Sequence, residues 1–419
     1  MNNYLQNITR YLQNVPRYAL YALLIFTPLA RACVQDWAVT TIHLITLIAL
    51  TAFLLEKSLT WSWNWIKTPL DKPIFILIIL SILSTIFSLH RHTSFWSIIL
   101  LFNYLTIFYL IIHTINSRSH LRRLIYLVIG IAVFLSVFGL FKHFDLNPFP
   151  WWNYTDLKNA YIGRLTSTFG CPNNLAGYLE MAIPFVLGLC LTGYRGAWLF
   201  LMIYIFLLLL TALVLTLSRG GWISGFLGLS FMAFALITSR DFRRKRLLAA
   251  LIGGSLALVL IVLASTPVIE RIRTVMEKEQ EASFHSRVMV WREAVKMIAD
   301  HPLMGTGPGT FGVINTQYQP PGLVPHFEKA HNDYLHFIAE IGIAVIPVML
   351  WMIIALYKKG FHKLKNPSRL IRSLTLGSLA GITAILFHSV VDFNLHIPAN
   401  ALLFTVLVAI VASPIPTDR

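Results

Sequence analysis

The chain has 419 residues, of which 56% are hydrophobic and only 12% charged, with a mean hydropathy of +0.68. Such a balance excludes an ordinary soluble domain. The net charge of +16 implies no nucleic-acid partner, because the basic residues sit in connections between apolar runs, where they set membrane topology and meet anionic lipid. Three cysteines (Cys33, Cys171 and Cys190) without a C-x-x-C pair provide neither a disulfide framework nor a zinc ribbon.

A helix crossing a hydrocarbon core of ~30 Å takes about 20 apolar residues. In chain order the candidate runs are Tyr18–Pro28 with its flanks, Trp37–Leu55, Pro73–Leu89, Phe95–Ile115, Leu121–Phe141 and Leu175–Thr192. Ala197–Leu217, Trp222–Thr238, Leu247–Ser265, Tyr334–Tyr357, Leu370–Val391 and Ile397–Ala412 follow, about twelve in all. The runs are continuous rather than alternating with period two, which favours helices over a barrel. The expected fold is an all-α polytopic membrane protein: one transmembrane domain over residues 1–419, with outer loops at 142–173 and 266–333.

Lysine and arginine alternate between the two sides from loop to loop. Arg240 to Arg246 and Lys358 to Arg372 fall on one side, which the positive-inside rule makes cytoplasmic, together with both termini. The polar stretch from Ser283 to Gly342 is then outside the cytoplasm. It holds S-R-V-M-V-W-R-E-A (Ser286 to Ala294), H-P-L-M-G-T-G-P-G-T-F (His301 to Phe311) and A-H-N-D-Y-L-H-F-I-A-E-I-G (Ala330 to Gly342). A chain with few polar residues that gathers them in one block marks that block for chemistry.

His331 stands where this loop re-enters the membrane, and an imidazole can take a proton from a sugar hydroxyl without a metal. Asn332 and Asp333 are helix N-cap types as well as candidate substrate contacts. His331 and His336 are five apart and do not share a helix face. With no H-E-x-x-H present, no metal and no cofactor are expected. Trp291, Val295 and Ile298 fall at i, i+4, i+7, an amphipathic helix that carries Arg287 on its apolar side, where it requires an anion. Arg219 lies in L-T-L-S-R-G-G-W on the side the topology rule disfavours. Gly220 and Gly221 beside it permit close approach, and a guanidinium fork suits diphosphate oxygens. Arg164 is a further outer cation. Glu180 lies inside the following helix, where an acid must be paired. In H-S-V-V-D-F-N-L-H-I-P (His388 to Pro398), His388 and Asp392 are i, i+4 and are expected to bond one another. Gly305, Gly307 and Gly309 lack a following Walker lysine and read as a turn.

These motifs resemble the O-antigen ligase and O-antigen polymerase family of bacterial inner-membrane glycosyltransferases, from about Leu165 to the C-terminus. The ligase pattern H-[N/S/Q]-x9-G-x-x-[G/T/Y] is met by His331, Asn332 and Gly342, with Val345 at its last position. Arg219 and Arg287 stand at the positions of two family arginines. The resemblance implies a GT-C-like, metal-independent, inverting glycosyltransferase of the bacterial inner membrane with a periplasmic active site. It implies catalytic His331, Arg287 and Arg219; Arg164, Asn332, Asp333, His388 and Asp392 are the substrate-binding residues expected beside them. The donor would be a glycan on undecaprenyl diphosphate. The acceptor would be lipid A-core for a ligase, a second lipid-linked glycan for a polymerase, or protein in a third variant. A flippase or other transporter is the competing class, but such proteins tend to pair broken helices at the bilayer midplane. Here the polar groups gather in one asymmetric outer loop.

Overall fold

The computed structural model describes residues 2–149, 152, 161–192, 195–238, 250, 253–254, 285–320 and 327–414. Every longer regular element among them is a helix: α1 (Asn2–Leu29), α2 (Asp36–Thr60), α3 (Asp71–Ile86), α4 (Arg91–Thr114), α5 (Arg118–His143), α6 (Pro172–Leu191), α7 (Ala197–Leu215) and α8 (Arg219–Thr238). Then come α9 over residues 285–300, α10 (Asp333–Ile341), α11 (Val345–Lys363), α12 (Arg369–His388) and α13 (Pro398–Ala412). Eight of these, α2, α4 to α8, α11 and α12, are long and apolar enough to cross a membrane. The chain is an integral, polytopic helical membrane protein.

The expected twelve spans reduce to eight among the described residues. Pro73–Leu89 and Ile397–Ala412 form helices of only 16 and 15 residues. Tyr18–Pro28 is the end of the much longer α1, which is not among the eight. Leu247–Ser265 and residues 266–284 of the large loop lie outside the described residues, as does most of 150–160. The run Tyr334–Tyr357 is not one helix but two. Gly342 ends α10 at φ +94, and a Cβ there would collide with the Leu303 carbonyl. A hydropathy run cannot register such a break, since glycine and its neighbours remain apolar.

The apolar stretch of α6 is buried along its whole length, packed by α5, α7, α8, α12 and α13. It touches α12 closely because Gly381 lies where a Cβ would come 2.8 Å from the Met181 carbonyl. Small residues at such seams let backbones approach in a medium where burial alone does not drive association.

A second, smaller core of Val290, Ala294, Met297, Phe311, Ile314, Ala330 and Ala339 lies at one end of the bundle. It corrects the expected face of α9: Val290, Ala294 and Met297 are buried, whereas Val295 is exposed. Arg287, three and seven residues before Val290 and Ala294, still faces inward. The glycine turn anchors this lobe. Thr306 N–H and Gly307 N–H donate to the Ala339 and Glu340 carbonyls, and Leu89 N–H, from the α3–α4 turn, donates to the Thr306 carbonyl. Gly307 has φ +111 and sits where a Cβ would collide with the Ser88 hydroxyl.

Gly307→Ala should therefore lower stability by about 1–3 kcal/mol through backbone strain and overpacking. Gly130 lies in mid-helix, where a Cβ would have no other atom within 4 Å, and should tolerate alanine without loss. Thermal unfolding of both variants in detergent checks this; equal melting temperatures would refute it.

Candidate functional site

The buried carboxylate of Asp392, just beyond α12, is the point on which separate elements converge. Arg287 Nη2 from α9 lies 3.4 Å from its Oδ2, and His331 Nδ1 lies 3.6 Å from its Oδ1. Asn173 Nδ2, from the first turn of α6, donates to Oδ2 at 2.9 Å, and Phe393 N–H donates to Oδ1 at 2.9 Å. Burial opposes the Asp392 charge. His331, Arg287 and His388 together outweigh that opposition and hold its carboxyl well below the usual carboxylate range. The expectation that inward-facing Arg287 needs an anion is met by Asp392, and that long single contact is its only ion pair among the described residues.

His331 has φ +48, an uncommon conformation for a non-glycine residue. Its carbonyl accepts from Trp291 Nε1 at 3.3 Å, and its ring meets the edge of Phe393 at 4.7 Å. Its Nδ1 is buried against Asp392. At 3.6 Å that contact is an ion-pair distance and long for a hydrogen bond.

Arg164 is drawn in by way of Asn173, to whose Oδ1 it donates at 2.8 Å. It also donates to the Thr216 and Leu217 carbonyls at 3.0 and 3.3 Å. These bonds join the α7–α8 turn to the α6 start, so its fork is engaged by protein rather than offered to a ligand. Arg219, the first residue of α8, is exposed and has no hydrogen bond or ion pair among the described residues. Asn173 thus bridges Arg164 and Asp392, a role with no local signal in the sequence.

Other expected site residues serve elsewhere. Asn332 caps α10, its Oδ1 accepting from Leu335 N–H at 3.0 Å. Asp333 is buried and its oxygens are taken by Ser389 Oγ, Leu395 N–H and His396 Nδ1 at 2.7, 3.1 and 2.6 Å. It staples α10 to the last connection. His388 does not bond Asp392 by its side chain, correcting the i, i+4 expectation. Its Nδ1 instead meets Glu180 Oε1 at 3.1 Å, both side chains being fully buried.

His336, Glu340 and His396 have ligand atoms within 4.8 Å of one another, a grouping that the spacing of His331 and His336 does not reveal. His396 is oriented by Asp333 in the way carboxylates orient metal-bound imidazoles. His336 fits less well. The Ala330 N–H donates to its Nδ1 at 3.3 Å, which leaves the proton on Nε2, aimed at Glu340 Oε1 at 3.0 Å. A metal on Nε2 would have to displace that proton and set two N–H groups against each other. His336 and Glu340 make a hydrogen-bonded staple, with Glu340 Oε1 also accepting from Phe311 N–H at 3.0 Å, and the His396 ring lies against that of His336.

Residues 204–350 match the family model described as O-antigen ligase. That match supports an O-antigen ligase family assignment for the segment. The matched segment includes Arg219, Arg287 and His331, while Arg164, Asn173 and Asp392 lie outside it. No curated protein matches the chain.

Burial, reinforced by neighbouring His396, lowers His336 from 6.5 to about 4. A group that is neutral when folded and protonated when unfolded costs stability as pH falls through that interval. The melting temperature should therefore drop between pH 6.5 and pH 4. In His336→Gln, which cannot titrate, the slope over the same window should be shallower. Identical slopes in the two proteins would contradict the assignment.

Proposed function

We propose that the protein is an inverting, metal-independent glycosyltransferase that moves a glycan from undecaprenyl diphosphate to a sugar hydroxyl at the periplasmic face of the bacterial inner membrane. The observation that carries this reading is the convergence of Arg287, His331 and Asn173 on the buried carboxylate of Asp392, in a membrane protein with an O-antigen ligase segment. The α7–α8 turn with Arg219, the α12–α13 connection and the α10 start occupy that same end of the bundle, and the lysine and arginine pattern supports a periplasmic place for it.

In this mechanism Asp392 holds the His331 ring by its Nδ1 side, and Nε2 takes the proton of the acceptor hydroxyl. The oxygen attacks the anomeric carbon from the face opposite the phosphate. The bond from that carbon to the phosphate oxygen breaks, and undecaprenyl diphosphate leaves with the electron pair. Arg219, exposed beside Gly220 and Gly221, and Arg287, loosely tied by one 3.4 Å contact, bind the diphosphate oxygens where charge develops. The two guanidinium groups then do the work a divalent cation does in other transferases. Arg164, engaged by protein, positions Asn173 and the α7–α8 turn.

The acceptor in this reading is lipid A-core, making the protein an O-antigen ligase. Val345, at a position where the ligase pattern has glycine, threonine or tyrosine, favours a polymerase as the second reading, with a second lipid-linked glycan as acceptor. Offering each acceptor to the purified protein with the same donor separates the two.

His331→Ala should reduce turnover at least about 100-fold with the melting temperature little changed, in keeping with the usual weight of general base catalysis. Near-normal turnover would remove the base assignment. Arg219→Lys and Arg287→Lys keep charge but lose the planar fork, so both should be severely impaired; full activity in both would leave the diphosphate assignment without support. Excess EDTA should leave turnover unaltered. Loss that a divalent cation restores would instead give His336, Glu340 and His396 a metal.

A further inference from the structure

Glu180 pairs across helices with no exposed side-chain surface, yet the transfer mechanism does not use it. It lies in α6 and binds two other helices at once. Ser224 Oγ, from the second turn of α8, donates to Oε2, and His388 Nδ1, at the end of α12, meets Oε1 at 3.1 Å. Each partner lies about one turn from a proposed site residue. Ser224 Oγ is also within 2.7 Å of the Gly220 carbonyl, in the turn that begins with Arg219. Asp392 N–H donates to the His388 carbonyl at 3.0 Å, so the carboxylate that holds His331 and Arg287 continues directly from His388.

The His388 ring closes the arrangement. Its Nε2 is buried and has no hydrogen-bond partner among the described residues, and it lies 2.9 Å from where a Cβ of Gly220 would be. The imidazole therefore fills the space under the first turn of α8, and no larger residue fits at position 220 without moving it. Inside a membrane domain such a fully buried pair is costly to break, since the remaining partner has no water to turn to. It is a stiff link where stiffness has a use, between the turn that presents Arg219 and the turn that presents Asp392.

We propose that Glu180 and His388 are positioning residues that set the spacing between the diphosphate-binding side of the site, at Arg219, and the proton-transfer side, at Asp392 and His331. The inference rests on the transfer function proposed above for the meaning of that spacing, but the link itself is a property of the folded chain. Neither residue touches substrate. Removing either lets the α8 start and the 389–392 turn shift independently, which lowers the fraction of bound substrate in a reactive geometry.

The test uses Glu180→Ala and His388→Ala with two conservative variants, Glu180→Gln and His388→Asn. Glutamine can still accept from His388 and reach Ser224; an asparagine amide occupies roughly the place of Nδ1–H. With undecaprenyl-diphosphate-linked oligosaccharide as donor and lipid A-core as acceptor, the alanine variants should lose about 100-fold in kcat, the scale of a 1 Å misplacement. Donor KM should stay close to wild type, and the conservative variants should recover most of the loss. The double alanine variant should be no worse than the poorer single one, because the pair acts as a unit. Amide hydrogen exchange without any substrate gives the second readout. In the alanine variants it should quicken at residues 218–222 and 389–392 while α5 stays unchanged, and it should return toward wild type in the conservative ones. Unchanged exchange at those turns, or equal kcat loss in alanine and conservative variants, overturns the positioning role. Faster exchange in a protein whose wild type transfers no glycan keeps the link and removes the proposed function instead.

Discussion

A carboxylate at 2% exposure is the constraint on which one end of the bundle depends. An ionised acid taken from water and left unpaired costs several kcal/mol, and losing one partner of a buried pair costs about 3–5 kcal/mol. Asp392 can stay charged only if cations and N–H donors come to it from elsewhere in the chain. Arg287 arrives from α9, His331 from the start of α10, Asn173 from α6, and Arg164 follows by way of Asn173. The requirement to satisfy one charge thus draws four distant segments into one place, and the site is a consequence of that satisfaction.

Three other buried acids share the work at this end of the bundle and divide it cleanly. Asp333 fastens α10 to the α12–α13 connection through Ser389, Leu395 and His396. Glu340 fastens the same helix to the Phe311 turn and pairs with His336 one turn earlier on it. Glu180 joins α6, α8 and α12 within the membrane domain. Asp392 alone among these four lies against both an arginine and a histidine whose side chains keep 22% and 27% of their surface exposed. Three acids build the frame, and the fourth, with partly exposed cations around it, is the one on which the proposed site rests.

The lobe over the bundle is held by backbone geometry as much as by burial. A glycine turn that seats Gly307 on Ser88 also lends two N–H donors to the end of α10. Gly342 then turns the chain from α10 into α11. His331 therefore stands just before a short helix fixed at both ends, which restricts where its backbone can go.

Much of this was legible in the amino-acid order. Continuous apolar runs determine a helical membrane protein, because lipid leaves the backbone no partner but itself. The concentration of polar motifs in one block marks the end of the bundle where Asp392, Arg287 and His331 meet, and the inward placement of Arg287 follows from helical spacing even though the buried stripe on α9 is shifted by one residue. What periodicity could not decide is which partner each buried charge takes. His388 and Asp392 are neighbours on one helix turn and invite a local pair. The tertiary structure instead joins His388 to Glu180, 208 residues away, and Asp392 to Arg287, 105 residues away. A buried charge is satisfied by whatever lies nearest in space, and nearness across helices is set by packing, which a one-dimensional pattern does not contain. The same reason hides Asn173 as a bridge, the break at Gly342 and the closeness of His336 to His396: each depends on where a second segment passes.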